Sequence, residues 1–210
     1  MPDLSLEYML MSSPQRSLIG IDEVGRGALA GPVTVGGVRI GQAIGDTPAG
    51  IDDSKRLSSR RRVELVPHIL NWAEAWSIAH IPAIVIDRIG IMRALALGAH
   101  EVCRNLMGGE SGWILLDGDR DYVSPKMDVA SAVKWHVATQ VKADASCTSV
   151  AAASILAKVA RDSLMIDAHD QLPMYAWNGN KGYGAPAHRA AIAKYGSTHW
   201  HRRSWHLLPD

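Results

Sequence analysis

The sequence predicts an α/β fold, a mixed sheet with helices on its faces, and three observations carry the prediction. An early group of β-rich runs is punctuated by turn signals, later runs are separated by stretches of helical period, and several runs end in an acid. The acids at those ends are Asp22, Asp117 and Asp144. At 210 residues and 47% hydrophobic content, the chain fits one large domain, or one domain with an appendage, and supplies a sizeable core.

Taken in order, Ser17 to Val24 reads as a first strand and Val33 to Ile40 as a second, close enough for an antiparallel hairpin. A loop rich in Gly, Asp and Pro follows from Gly41 to Asp53. Ser58 and Ser59 can cap a helix that carries Val63, Val66, Ile69, Leu70 and Ala73, with Pro67 expected to limit or kink it. Trp76 to Ile81 is the third strand. Asp87 is the expected cap of the next helix, whose Ile91, Leu95, Ala99, Val102 and Leu106 fall at helical spacing and which Gly108-Gly109 should end. Trp113 to Leu116 is a short buried strand closed by Asp117-Gly118. Lys134 to Val141 alternates as a fifth strand, with Asp144 after it, and the alanine-rich stretch Thr148 to Met165 is a helix packed closely on the sheet.

Composition narrows the function. A net charge of +1 argues against indiscriminate binding of nucleic acid, which depends on neutralising many phosphates. Toward the C-terminus, however, Lys181, Arg189, Lys194, Arg202 and Arg203 are unopposed by acids until Asp210, which predicts a basic face there. No apolar stretch is long enough to span a bilayer, and Met1 to Arg16 has neither a basic start nor an apolar core, so a soluble, cytoplasmic protein is expected. Cys103 and Cys147 lack metal-ligand spacing and read as buried free thiols.

The densest chemistry is at Asp22 and Glu23, which close the apolar run Leu18-Ile19-Gly20-Ile21 and precede Gly25-Arg26-Gly27. A buried polar group without a partner costs roughly 2–7 kcal/mol, and a charge more, so something cationic must meet these acids. The Gly-Arg-Gly turn lets backbone approach a ligand and offers donors to an anion. Carboxylates beside such a turn suggest metal-dependent chemistry on a phosphoester. Hard cations such as Mg2+ or Mn2+ take oxygen ligands, whereas two cysteines without spacing argue against a thiolate zinc site. Two blander readings stand beside this one: an ordinary exposed strand end, and a dinucleotide loop through Gly25, Gly27 and Gly31, whose GxGxxxG spacing matches poorly. His199 and His201 read as surface histidines.

The chain resembles the ribonuclease HII family. The resemblance rests on Gly20-Ile21-Asp22-Glu23-Val24-Gly25-Arg26-Gly27-Ala28-Leu29-Ala30-Gly31-Pro32-Val33, Asp53-Ser54-Lys55-Arg56-Leu57-Ser58, Ile86-Asp87-Arg88-Ile89, Leu115-Leu116-Asp117-Gly118, Ala151 to Asp162, Asn180-Lys181-Gly182-Tyr183-Gly184 and His201-Arg202-Arg203-Ser204, in family order. It implies an RNase H-like fold with a mixed five-stranded sheet flanked by helices. It divides the chain into an N-terminal extension (1–16), a catalytic domain (17–170) and a C-terminal helical and basic, substrate-binding extension (171–210). It also implies a type 2 ribonuclease H, acting as a monomer on RNA/DNA hybrids and on duplex DNA with single embedded ribonucleotides, in ribonucleotide excision repair and DNA replication. The departures are Ala143 where the family has Gly, Gly90 for Asn, Ala185 for Thr and Trp205 for Phe.

By the same resemblance Asp22, Glu23, Asp117 and Asp144 are catalytic and hold two Mg2+ or Mn2+ ions, roughly 4 Å apart in such sites, that activate water and stabilise the departing oxygen. Asp22 is the expected bridging ligand. Glu23, on the opposite face of the strand, cannot simply mirror it. The interval after Asp117 is long, so Asp119, Asp121 and Asp128 are fallbacks for Asp144. The backbone of Gly25, Arg26 and Gly27 and the phenol of Tyr183 are expected to read the 2′-hydroxyl, and Lys55, Lys181 and Arg202 to contact phosphates. A catalytically silent hybrid-binding module is the rival reading, which four intact acids oppose.

Overall fold

The structure is a computed structural model that describes residues 1–12, 16–107, 111–124 and 135–208. The strands β1 (Ser17–Val24), β2 (Val33–Gly41), β3 (Ala75–Ile81), β4 (Gly112–Asp117) and β5 (Trp135–Gln140) form a five-stranded sheet in the order β3-β2-β1-β4-β5. The first three are antiparallel neighbours, while β4 pairs parallel with both β1 and β5. Among the described residues, the helices are α1 (Ser5–Leu10), α2 (Ser59–Trp72), α3 (Ala83–Ile89), α4 (Ile91–Leu106), α5 (Ala143–Ser146), α6 (Thr148–Gln171), α7 (Trp177–Asn180) and α8 (Pro186–Tyr195). None is long and apolar enough to cross a membrane.

Alternation along β1 sorts the core into two layers. Leu18 joins Leu115, Val150 and Ala153 beneath α6, whereas Ile19 and Ile21 join Ile114, Leu116, Leu95 and Val102 beneath α4. On the α6 side the helix lies almost on the strand backbones. A Cβ built at Gly20 would stand 2.5 Å from the Ser149 hydroxyl oxygen, and one at Gly36 would stand 2.5 Å from the Ala153 carbonyl oxygen. Both cysteines are buried and free, as expected.

Three sequence expectations are corrected. Helix α2 runs unbroken through Pro67, because Leu65 and Ile69 are buried and tertiary packing outweighs one lost hydrogen bond; its Ser58 cap is as expected, accepting from the Arg61 N–H at 3.2 Å. Asp87 does not cap α4. Gly90, at φ +79°, ends α3 and begins α4, while the Asp87 carboxylate accepts from the backbone of Arg203 and Ser204, at 3.0 Å each, and from the Ser204 hydroxyl at 2.7 Å. His201 is buried rather than superficial, although His199 is exposed. The expected stop at Gly108-Gly109, the strand start at Lys134 and the fallback ligand Asp128 lie outside the described residues.

Both ends of the chain bear on the layer that will carry the site. Leu4 and Met11 are buried under α6, and Glu7 of α1 accepts from both the N–H and the hydroxyl of Ser149, at 2.9 Å each. At the other end, Tyr175, Trp177 and Ile192 pack with Leu29, Ala30 and Met165, so the C-terminal helices close over the loop that follows β1.

Candidate active site

Ile21 of β1 pairs with Leu116 of β4, so Asp22 and Asp117 are the next residues along parallel neighbours and emerge at one edge of the sheet. Asp22 is 5% exposed on the α6 side. Burial, reinforced by the charges of Glu23, Asp117 and Asp144, pushes its carboxyl up to about 8, against a weaker opposing contribution from the Ser154 hydroxyl. Glu23 points to the other layer, where burial also raises it and the Arg26 guanidinium, 3.3 Å from Oε1, works in the opposite direction. Asp117 is raised by burial and then by Asp144, and its Oδ1 accepts the Ala143 N–H at 2.7 Å. That bond turns the chain after β5 so that Asp144, 4% exposed, faces the same edge, where Lys55 Nζ meets its Oδ2 at 3.0 Å.

The Lys142-Ala143-Asp144 turn explains one departure from the family pattern. The left-handed residue is Lys142, at φ 59°, so a glycine is not required at 143. Of the fallback ligands, Asp121 is engaged elsewhere: its Oδ1 accepts the N–H groups of Val123 and Ser124 at 2.9 Å each. Asp119 lines a groove of about 330 Å³ together with Glu23, Arg26, Asp117, Arg120 and Tyr122. A larger, mostly apolar cavity of about 500 Å³ lies near Pro32, His80, Ile84 and Trp200, and none of the four carboxylates lines it. Among the described residues, no three His, Cys, Asp or Glu side chains already close into a metal-holding cluster. The donor set nevertheless fits hard divalent ions: four oxygen-bearing acids at one edge, three of them held above their ordinary range.

The loop after β1 is held from beneath by two buried arginines. Arg202 donates to the carbonyls of Gly25 and Arg26, at 2.7 Å each, and of Gly31 at 3.1 Å. Arg161 donates to Pro32 and Lys181, at 2.9 Å each, and to Ala30 at 3.1 Å. Among the described residues the N–H groups of Arg26 and Gly27 have no protein acceptor. Gly25 is needed at φ +85°, because a side chain there would strike Arg161.

Tyr183, 38% exposed, stands beside this loop, since the Gly182 carbonyl accepts the N–H groups of Leu29 and Ala30 at 2.8 and 3.1 Å. Arg161 lies under its ring, 5.4 Å from the centroid. Lys55 reaches the acids, whereas Lys181 bends to the Asn178 carbonyl at the loop's flank. The expected phosphate contact of Arg202 is a correction: its side chain is fully buried and its guanidinium is occupied by carbonyls. Sequence reasoning also missed Arg161, Ser154, Tyr122 and Glu7. A buried arginine inside an alanine-rich helix was the one available signal, since such a charge requires partners.

Comparison with known proteins shows the family. The family model for ribonuclease HII matches residues 19–208. Ribonuclease HII of Paracoccus denitrificans is 40% identical over 204 residues, covering 97% of this chain and 91% of the relative, and that of Streptomyces griseus is 40% identical over 196 residues, covering 92% and 78%. A solved complex of PCNA with RNase HII from Archaeoglobus fulgidus superposes with TM-score 0.72 at 26% identity, covering 91% of this chain and 95% of that one. Ribonuclease H2 of Pyrococcus horikoshii gives TM-score 0.70 at 22% identity, covering 91% and 94%. The Mn2+ complex of Bst-RNase HIII gives 0.66 at 18%, covering 99% and 71%.

A mixed sheet of this order, with carboxylates gathered where β1 and β4 end, defines a hydrolase of the nuclease class with a ribonuclease H fold. Within that class the chain belongs to the ribonuclease HII family and is a type 2 ribonuclease H, with the family's activity on RNA/DNA hybrids.

Proposed function

We propose that the protein cuts on the 5′ side of ribonucleotides, in hybrids and where one is embedded in duplex DNA, leaving a 5′-phosphate and a 3′-hydroxyl, and so serves ribonucleotide excision repair and replication. The observation that carries this reading is the adjacency of the acid cluster to a loop in which the N–H groups of Arg26 and Gly27 lack an acceptor among the described residues, while those of Leu29 and Ala30 bond Gly182, next to the exposed Tyr183. Such a pairing supports phosphodiester chemistry beside a reader of the sugar. The 2′-hydroxyl both donates and accepts, which suits the unsatisfied N–H groups of Arg26 and Gly27 as donors and the Tyr183 phenol as a further partner.

Asp22, Glu23, Asp117 and Asp144 would hold two Mg2+ or Mn2+ ions, which when bound supply an activated water and stabilise charge on the leaving oxygen. The chain's own contribution is to hold the acids on rigid strand ends, to orient the sugar through the Gly25–Gly27 backbone, and to seat the neighbouring base pair against the Tyr183 ring. Lys55 lies against Asp144 and Lys181 at the loop's flank, where each can meet a phosphate. Residues 171–210 are read as the substrate-binding extension and 17–170 as the catalytic domain.

Single-turnover cleavage of a DNA duplex with one ribonucleotide, alongside an all-RNA/DNA hybrid, tests the reading. Wild type should cut both, and Tyr183→Ala should lose most of the junction cleavage. Tyr183→Phe should lose only the worth of a hydrogen bond, about 0.5–1.5 kcal/mol. Failure to cut at the single ribonucleotide with either metal, or a folded Tyr183→Ala as active as wild type on both substrates, would overturn it.

A further inference from the structure

The long interval after Asp117 begins with a turn that is tethered rather than loose. Asp121 closes it by accepting two backbone N–H groups, Val123 is fully buried in the layer beneath α4, and His100 of α4 lies 2.9 Å from the Val123 carbonyl oxygen through Nε2. The residue between Asp121 and Val123 is Tyr122, whose hydroxyl lies 3.4 Å from Glu23 Oε2. A phenol, ordinarily neutral well above pH 7, has an O–H to give, and Glu23 has an acceptor to receive it.

Glu23 is therefore held from two sides of unequal firmness. On Oε1 the partner is Arg26, whose side chain is 54% exposed and belongs to the loop that meets substrate. Exposed ion pairs are screened and contribute little orientation. On Oε2 the partner sits on an anchored turn. We propose that Tyr122 is a positioning residue that fixes the Glu23 carboxylate for a divalent ion, and that the turn formed by residues 119–123 is present to deliver it. This inference rests on the reading of Glu23 as a metal ligand. Groups that orient a metal-binding carboxylate typically change affinity by about 10–100-fold when removed. The 3.4 Å separation is at the long end of a hydrogen bond, so the lower end of that range applies.

The test is Mn2+ binding to the substrate-free protein, followed by electron paramagnetic resonance or calorimetry, together with single-turnover cleavage as a function of Mn2+ concentration. Tyr122→Phe keeps the ring in the core and removes only the hydroxyl. Its apparent Mn2+ affinity should fall about tenfold, with the cleavage rate at saturating Mn2+ and the Tm in EDTA close to wild type. Asp121→Ala, which loosens the turn, should weaken Mn2+ binding similarly and add little in the Tyr122→Phe background. Wild-type Mn2+ affinity in Tyr122→Phe, with Glu23→Gln clearly weakened, overturns the role of Tyr122 alone. Wild-type affinity in Glu23→Gln overturns the ligand assignment, and the positioning role with it.

Discussion

Asp22 and Glu23 are neighbours in sequence, yet the two sides of the sheet treat them by opposite means. Asp22 faces α6, which lies so close to β1 and β2 that glycines are required under it, and it meets the Ser154 hydroxyl, itself 2.8 Å from that of Ser54. Glu23 faces a groove whose far wall is a turn and whose near wall is an exposed arginine. The α6 side is preorganised by packing density, and the α4 side by a few tethers. A site that must grip metal and also admit a duplex benefits from both: one wall that does not move and one that opens to the substrate.

The contrast can be broken most severely at Asp22. Asp22→Asn should lower cleavage by about a thousandfold or more, since metal-assisted charge stabilisation supplies several kcal/mol and each 1.36 kcal/mol is tenfold. Its effect on the metal-free protein should have the opposite sign. A carboxyl raised from 3.8 to about 8 by burial binds its proton more tightly folded than unfolded, so this group's contribution falls as pH rises between those values. Thermal melts in EDTA at pH 8 should find Asp22→Asn at least as stable as wild type. A marked loss there would show that Asp22 is a structural rather than a strained group.

Packing density itself is tested by Gly36→Ala, whose new methyl meets the Ala153 carbonyl. Overpacking of this kind costs about 1–3 kcal/mol, and shifting α6 should reduce cleavage as well. Gly27→Ala is the counterpart on the loop, where a Cβ meets nothing within 4 Å. Its stability should stay within about 0.5 kcal/mol of wild type, leaving substrate affinity as the property that changes. Equal Tm losses in the two variants would erase the distinction between the walls.

An effect on stability with a smaller consequence for cleavage is expected from Glu7, which supports α6 from the N-terminal segment. Glu7→Ala leaves the buried Ser149 donors without their acceptor and should cost about 1–3 kcal/mol in denaturant melts, while Glu7→Gln, which keeps an acceptor oxygen, should recover most of the loss.

The mildest departure is acid sensitivity of the C-terminal buttress behind Tyr183. His188 and His201 are buried with their Nε2 atoms 3.2 Å apart, and burial, then the neighbouring His188, lowers His201 from 6.5 to about 4. Protons then bind the unfolded chain more tightly, so this contribution is complete above pH 6.5 and is lost as pH falls toward 4. His201→Gln should flatten the Tm against pH between those limits; an unchanged slope would assign the acid sensitivity elsewhere.

Much of this was legible in advance because strand and helix periods, and acids at strand ends, are local features of the chain. The five strands, the α6 helix and the acids Asp22, Glu23, Asp117 and Asp144 all follow from such patterns. Asp87 was misread because its partners, Arg203 and Ser204, are more than a hundred residues away, and a local cap is the simplest use of an aspartate before a helix. Arg202 was misread because an arginine in a basic tail looks the same whether its guanidinium meets phosphate or three loop carbonyls.

The sequence by itself determined which residues could do the chemistry: hydrophobic period placed the strands, and the cost of burying unpartnered carboxylates marked the acids at their ends as candidates for cation binding. Only the tertiary structure decided how those residues are used. What each acid meets on its face depends on the helix packed there, which carbonyls the buried arginines capture depends on how the C-terminal helices close over the loop, and whether Tyr122 reaches Glu23 depends on a turn anchored to α4. These are contacts between segments far apart in the chain, and their energies exist only once the core has brought the segments together.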